Sequence, residues 1–380
     1  MSKSIALMGY QAKNQATTHY SLERIMADLG QNTGNLAFWH AVESHIDMPK
    51  LYVNADFDPL QVNATCSALV LPAANFIGRH LDLTPYTQFL KKIDVPIVVL
   101  GLGMQFELDD AAQETSPSTD DFINMLISKN ATVATRGQQT ADFLSGRGLR
   151  NVTVTGCPSN YITPDLTFKY ESLYERVLLN FQIGTKYQAA LPFIGNWVDG
   201  GNASMVWQGF EDPIAYLHDC CSLDSDLMTA FCDSLRPGMP LPEFKRWLFR
   251  NSTYFFGARE WMEFCSRFTL SIGTRFHGNM LAIQSGVPAV FVVHDRRTQE
   301  MVELFKLPHV SLERISTYRS MEKVLSIVDA DMRPYIQARK ELGIKYFELI
   351  QNAGISIPEI YRSFLSQPAE LSTGAIVSRP

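Results

Sequence analysis

The stretch Thr269-Leu270-Ser271-Ile272-Gly273-Thr274-Arg275-Phe276-His277-Gly278, with its continuation to Val293, decides how this chain is read. Thr269 to Ile272 is a short β-rich run. Gly278 to Gln284 follows a helical pattern that Gly286 and Pro288 stop, and Ala289 to Val293 is a second β-rich run. Strand, helix and strand in that order are the rhythm of a parallel sheet with its helices laid on the faces. The neighbouring segments keep the same beat: a strand is expected at Tyr254 to Phe256 and helices at Arg259 to Ser266 and Thr298 to Phe305.

The first half repeats the alternation. Ser4 to Met8, Ala68 to Leu71, Ile97 to Leu100, Ala131 to Thr135 and Val152 to Thr155 are β-rich. Between them lie helical patterns at Leu36 to Ile46, Thr84 to Ile93, Asp120 to Lys129 and Gln138 to Leu144, the last closed by Gly146 and Gly148. The expected fold class is therefore α/β, with two doubly wound parallel-sheet domains facing a cleft. Residues 1–165 form the first and residues 166–366 the second, divided where Pro158 and Pro164 punctuate a polar stretch; residues 367–380 read as a flexible tail. Further β-runs at Arg176 to Phe181 and Ser204 to Trp207 flank the Gly-rich stretch Ile194 to Asn202, read as a mobile loop. Helical patterns from Met321 to Ala353, broken near Pro334, and after Pro358 complete the chain.

Composition bounds the function. At 380 residues the chain exceeds what one hydrophobic core usually organises, and 46% apolar with 19% charged residues is the balance of an ordinary folded protein. No apolar stretch suits a signal peptide or a membrane span. Six cysteines, at 66, 157, 220, 221, 232 and 265, show no zinc-like spacing and fit a reducing cytoplasm. A formal charge of −6 with no basic stripe argues against a nucleic-acid partner, so an anionic ligand must meet locally placed arginines.

In open parallel sheets ligands bind beyond the carboxyl ends of the strands, where helix N-termini offer unpaired N–H groups. At the turn Gly273 to Gly278, Arg275 and His277 project to one side of a helix start, which suits a small phosphate- or carboxylate-bearing ligand; a salt-bridging arginine and a capping histidine are the structural alternative. Ala134-Thr135-Arg136-Gly137 repeats the pattern of strand, arginine, glycine and helix. Gly101-Leu102-Gly103-Met104-Gln105 allows close backbone approach but lacks dinucleotide-binding spacing, which disfavours nicotinamide or flavin. Asn32-Thr33-Gly34-Asn35 opens a helix and serves equally as a plain cap. Asp56-Phe57-Asp58 and Asp329-Ala330-Asp331 imitate a metal-binding Asp-x-Asp, although solvated turns or caps explain both.

These motifs, in order and spacing, resemble the polysaccharide pyruvyl transferase family from about Ala6 to Leu312: Asn32 to Asn35, Val95 to Gln105, Thr135-Arg136-Gly137, Gly156-Cys157-Pro158, and above all Arg275-Phe276-His277-Gly278 followed by Ser285-Gly286-Val287-Pro288. The resemblance implies a fold similar to the glycosyltransferase B type, with phosphoenolpyruvate held by Arg136 from one side of the cleft and by Arg275 and His277 from the other. Relatives often carry Asp at the positions of Asn35 and Cys157, and a Tyr-Asp-Pro-Lys turn where His294-Asp295-Arg296-Arg297 stands here. Arg297 keeps the charge but not a lysine's use as proton carrier. Cys157 is read as a packed residue before a catalytic thiol.

Two or three fixed arginines would neutralise the carboxylate and phosphate of phosphoenolpyruvate, a role that suits Arg136, Arg275 and Arg297, with Gly278 beside them. His277 is the candidate proton shuttle, since imidazole donates and accepts near neutral pH. Asn32, Gly34, Asn35, Gly103 and Gln105 are further candidate substrate contacts. No cofactor and no metal site is expected. The acceptor would be a sugar hydroxyl of a polysaccharide or of its lipid-linked precursor, the latter bringing peripheral contact with the inner membrane face. Aromatic residues between Phe193 and Trp207 would form either a sugar-binding rim or part of the core. The competing readings are a nucleotide-sugar-dependent glycosyltransferase and a catalytically silent carbohydrate-binding protein.

Overall fold

The computed structural model describes residues 3–9, 20–79, 81–105, 115–168, 175–182, 191–209, 213–219, 225–317, 321–327 and 330–366. The expected tail 367–380, Cys220, Cys221 and Asp329 lie outside them. Twelve strands in the described residues form two sheets of six, every pairing parallel. The first sheet contains β1 (Ser4–Met8), β2 (Lys50–Val53), β3 (Cys66–Pro72), β4 (Ile97–Leu102), β5 (Thr132–Thr135) and β6 (Val152–Val154), in the order β2-β1-β3-β4-β5-β6. The second contains β7 (Val177–Leu179), β8 (Ala203–Val206), β9 (Ser252–Thr253), β10 (Leu270–Gly273), β11 (Ala289–Val293) and β12 (His309–Ser311), in the order β12-β11-β10-β7-β8-β9. The α/β class with two doubly wound sheets is as the alternation implied.

Strand order positions the site. In the first sheet the chain winds outward in both directions from between β1 and β3, and in the second from between β7 and β10. Connections leaving on opposite faces open a crevice at the carboxyl ends of such strand pairs. The central strands are buried on both faces: Ile97–Leu102 is buried throughout, as is Leu270–Gly273, whose Ser271 hydroxyl donates to Asn279 Oδ1 at 2.8 Å.

Two expectations are corrected. Ile194 to Asn202 is not a loop, because Leu191–Asp199 is a helix whose Ile194 and Val198 enter the second core. Its Gly195 serves contact rather than mobility: an added Cβ would overlap the Leu235 carbonyl at the end of the helix Ser225–Leu235. Tyr254 to Phe256 is not a strand; the edge strand is Ser252–Thr253, and the three aromatics turn into ring contacts, Tyr254 with Phe256 and Phe255 with Trp261. The helical pattern from Met321 does break near Pro334, as expected: Met321–Ile327 and Arg333–Asn352 are separate helices, the second taking Pro334 in its first turn, where the missing N–H costs nothing. In each Asp-x-Asp run an aspartate accepts a backbone hydrogen bond at the start of a helix. Asp58 accepts from Leu60 N at 3.0 Å at the start of helix Pro59–Thr65, and Asp331 accepts from Arg333 N at 2.9 Å.

The chain ends on its beginning. Helix Arg333–Asn352, grouped by sequence with the second half, buries Tyr346, Phe347 and Ile350 in one cluster with Ile5, Leu7, Phe38 and Val42. Arg339 ties it to the inter-sheet connection through Asn160 O at 2.6 Å and Pro164 O at 3.2 Å, and through Thr163 O. His45 is enclosed there as a neutral ring: its Nε2–H donates to Tyr161 O and its Nδ1 accepts from the Tyr346 hydroxyl, both at 3.0 Å. Burial, opposed by the Tyr161 bond, pushes its pKa down to about 3.

Candidate active site

Arg136 stands directly after β5 but reaches back across the sheet. Its N–H donates to Leu102 O at 2.9 Å, and its guanidinium donates to Asn75 Oδ1 and Ala73 O at 3.3 Å each, so it ends beside the switch point of the first sheet. Gly103 makes room, since a Cβ there would stand 3.2 Å from Arg136 Cδ. Asn75 in turn donates to Gln105 Oε1 at 3.4 Å, which places Gln105 at the end of a polar chain leading from Arg136. The Phe38 ring lies 5.2 Å from the guanidinium carbon. Arg136 is only 3% exposed, its Nε has no hydrogen-bond partner, and no carboxylate pairs with it among the described residues. Burial lowers its pKa, Cys157 opposes that shift and Arg297 adds to it.

The second half supplies the facing wall. Gly273 ends β10 under the Asn180 backbone, where any side chain would collide with it, and Arg275 N–H donates to Asn180 O at 2.9 Å. Arg275 caps helix Phe276–Gln284, and His277 sits in its first turn, 9% exposed. The His277 ring lies 5.6 Å from that of Phe38 and its Nε2 is 3.5 Å from Cys157 Sγ. Burial, then Arg136, then Arg297 hold its pKa well below the ordinary imidazole value. Arg297 donates to Asp295 Oδ2 at 3.1 Å. Burial pushes the Asp295 carboxyl up, but Arg297, His294 and the bond from Thr298 N outweigh it and bring it down to about 2.

The structure thus gathers Arg136 and His277 with Arg297 into one electrostatically coupled group, with Arg275 on the same turn as His277. The remaining candidates make contacts within the chain. Asn32 Oδ1 accepts from Gly34 N at 3.0 Å, and Asn32 bridges to Gly209 across the cleft. Gly34 leaves room for Gln208 and His277, against which a Cβ would press. Asn35 donates to Leu29 O at 2.9 Å, which employs its amide in holding the preceding turn. Gly278 gives space to Asn180 and Gln208. Trp207 is a core residue at 2% exposure and Trp197 packs partly buried on the same cluster.

Sequence reasoning missed Asn75, which holds Arg136, and Glu300, whose Oε1 accepts from Gln139 N at 2.6 Å. Glu300 comes from the helix that carries Arg297 and occupies the N-terminus of helix Gln138–Gly146, so the turn after Arg136 is capped by protein and not left for a ligand. Burial raises its carboxyl pKa, opposed by the Gln139 bond. Asn75 carried a usable signal, a polar side chain three residues past the apolar end of a strand. Glu300 carried none, because its contact lies 161 residues away.

No group of three His, Cys, Asp or Glu residues that would hold a metal occurs among the described residues, and no described helix is long and apolar enough to cross a membrane.

Solved structures similar in arrangement include S. aureus MnaA with UDP (12% identity, TM-score 0.48, covering 92% of this chain and 98% of that one). The UDP-GlcNAc 2-epimerase of Neisseria meningitidis bound to UDP-GlcNAc has 10% identity and TM-score 0.43, with 96% and 98% coverage. The glycotransferase of kitacinnamycin has 11% identity and TM-score 0.40, with 92% and 99% coverage. No curated protein sequence matches the chain. The family model for polysaccharide pyruvyl transferase, however, matches residues 12–296, which takes in Arg136, Arg275 and His277 and stops one residue short of Arg297, and the chain therefore belongs to the polysaccharide pyruvyl transferase family.

Proposed function

We propose that this chain transfers the pyruvyl group of phosphoenolpyruvate to paired hydroxyls of a sugar, forming a cyclic ketal and releasing phosphate. The observation that carries the reading is Arg136: a guanidinium 3% exposed, without a carboxylate partner among the described residues, whose charge together with that of Arg297 keeps the neighbouring His277 neutral. Arg297 is offset by Asp295 but Arg136 is not, so the cluster calls for an anion against Arg136. Phosphoenolpyruvate, with a phosphate and a carboxylate on one carbon, has a charge of the sign that such a site calls for.

The reaction balances within those groups. A proton adds to the methylene carbon of phosphoenolpyruvate while a sugar hydroxyl adds to the central carbon and gives up its proton. The second hydroxyl then displaces phosphate, which leaves with that hydroxyl's proton. His277 starts neutral because burial and the two arginines oppose its protonation, and the bound anion offsets those arginines and raises its proton affinity. A neutral imidazole that gains basicity on donor binding is suited to carry the proton between hydroxyl and carbon. The acceptor is a polysaccharide unit or its lipid-linked precursor, and contact with a membrane surface would follow from the second.

The test is turnover in deuterated water with phosphoenolpyruvate and oligosaccharides offering paired hydroxyls. The expected result is phosphate release matched by a new ketal methyl carrying one deuterium. Consumption of UDP-glucose in place of phosphoenolpyruvate, by the same protein and acceptors, would replace this reading with that of a nucleotide-sugar glycosyltransferase.

A further inference from the structure

We infer that Cys157 is a positioning residue for His277, fixing its neutral ring in the tautomer with Nε2 unprotonated and Nδ1 carrying the hydrogen. Three observations lead there. Cys157 is fully buried in the described structure, and its Sγ lies 3.5 Å from His277 Nε2, within reach of a sulfur hydrogen bond. Ser159 Oγ–H donates to the same sulfur at 3.2 Å, which uses a sulfur lone pair and leaves the thiol hydrogen to point elsewhere. The ring it meets is neutral, because burial and the cations Arg136 and Arg297 disfavour its charged form, so Nε2 is free to accept. The sequence Ser159 O–H to sulfur, then S–H to Nε2, satisfies every hydrogen in the chain.

Arg136, whose buried Nε has no partner, acts on the same ring, so the cluster adjoins the position assigned to the donor anion. Cys157 occupies the Nε2 edge of the imidazole and leaves the Nδ1–H edge as a hydrogen-bond donor. The role in turnover rests on the pyruvyl-transfer reading; the tautomer does not. A plain packed cysteine would fill the same space without choosing which nitrogen bears the hydrogen.

The test uses full-length protein labelled with 15N-histidine, without substrate, where ring nitrogen shifts and their couplings distinguish the tautomers and His277→Gln assigns the resonance. Wild type should show Nδ1–H, and Cys157→Ser should retain it, since a hydroxyl also donates. Cys157→Asp should switch the ring to Nε2–H, which the carboxylate accepts, and raise the histidine's pKa by more than a unit against the facing groups Arg136 and Arg297. Cys157→Ala should lose the preference. An Nε2-protonated ring in folded wild type, or a ring unchanged in both the Ala and Asp variants, overturns the inference. If wild type shows the expected tautomer yet transfers no pyruvyl group, only the proposed function falls.

Discussion

At the scale of single residues, the cleft is held together against its own charge. Arg136 gives up hydration and gains two hydrogen bonds of 3.3 Å and an aromatic face, which is less than a buried guanidinium requires. Replacing it with methionine keeps the length and removes the repulsion with Arg297. Arg136→Met should therefore be no less stable than wild type without ligand, as read by thermal unfolding, while inorganic phosphate stabilises wild type and not the variant. A variant that unfolds several degrees lower in phosphate-free buffer would mean that Arg136 is structural. Arg136, Arg275 and His277 were legible in the sequence because each lies just past a β-run, where side chains emerge at a sheet's carboxyl edge, whereas Arg297, inside a helix, was found only through the family resemblance. What they are doing there was only half legible: Asn35 and Gly278 share the motif but serve a turn and a packing contact, and no local pattern distinguishes a glycine that admits substrate from one that admits Asn180.

At the scale of elements, short contacts set the two halves together beside the site. Gly137 lets the Glu300 carboxylate come against the first turn of helix Gln138–Gly146, where a Cβ would displace it. Glu300→Gln or Gly137→Ala should each cost about 1 kcal/mol, the usual worth of a helix cap, and the two together little more than either alone. Additive losses in urea unfolding would show that the two do not act through one contact. Gly156 is the sterner case: its φ is +77° and a Cβ would enter the ring of the buried Phe305. Gly156→Ala should cost about 3 kcal/mol by the same measurement, from backbone strain and overpacking together. The alternation of strands and helices was readable wherever a strand was long and apolar, as in Ile97–Leu102. It failed at Ser252–Thr253, two residues long, and at Leu191–Asp199, whose glycine suggested a loop although its lack of a side chain serves helix contact.

At the scale of the whole molecule, the return of helix Arg333–Asn352 to the first sheet makes the two halves cooperate. This crossover was invisible in sequence, because the helix's apolar face fits either core and only Tyr161, His45 and Arg339 together determine which. The arrangement predicts an acid response. His45, held near 3, and His277, held well below 6.5, stay neutral in the folded protein while their unfolded counterparts protonate. Stability is thus fully present above about pH 6.5 and declines as the pH falls through the window below, by up to about 1.4 kcal/mol per pH unit for each ring. His45→Asn should flatten that decline in unfolding curves taken between neutral and acid pH, and an unchanged slope would remove His45 from the account.

The central claim, that the two switch points enclose a cation cluster built for phosphoenolpyruvate, is tested most directly by calorimetric titration of phosphoenolpyruvate into wild type, Arg136→Met and Arg275→Ala. The account predicts saturable one-site binding by wild type, lost in both variants while each remains folded, and absent with UDP-glucose. Undiminished binding in both variants, or binding of UDP-glucose with none of phosphoenolpyruvate, would contradict it.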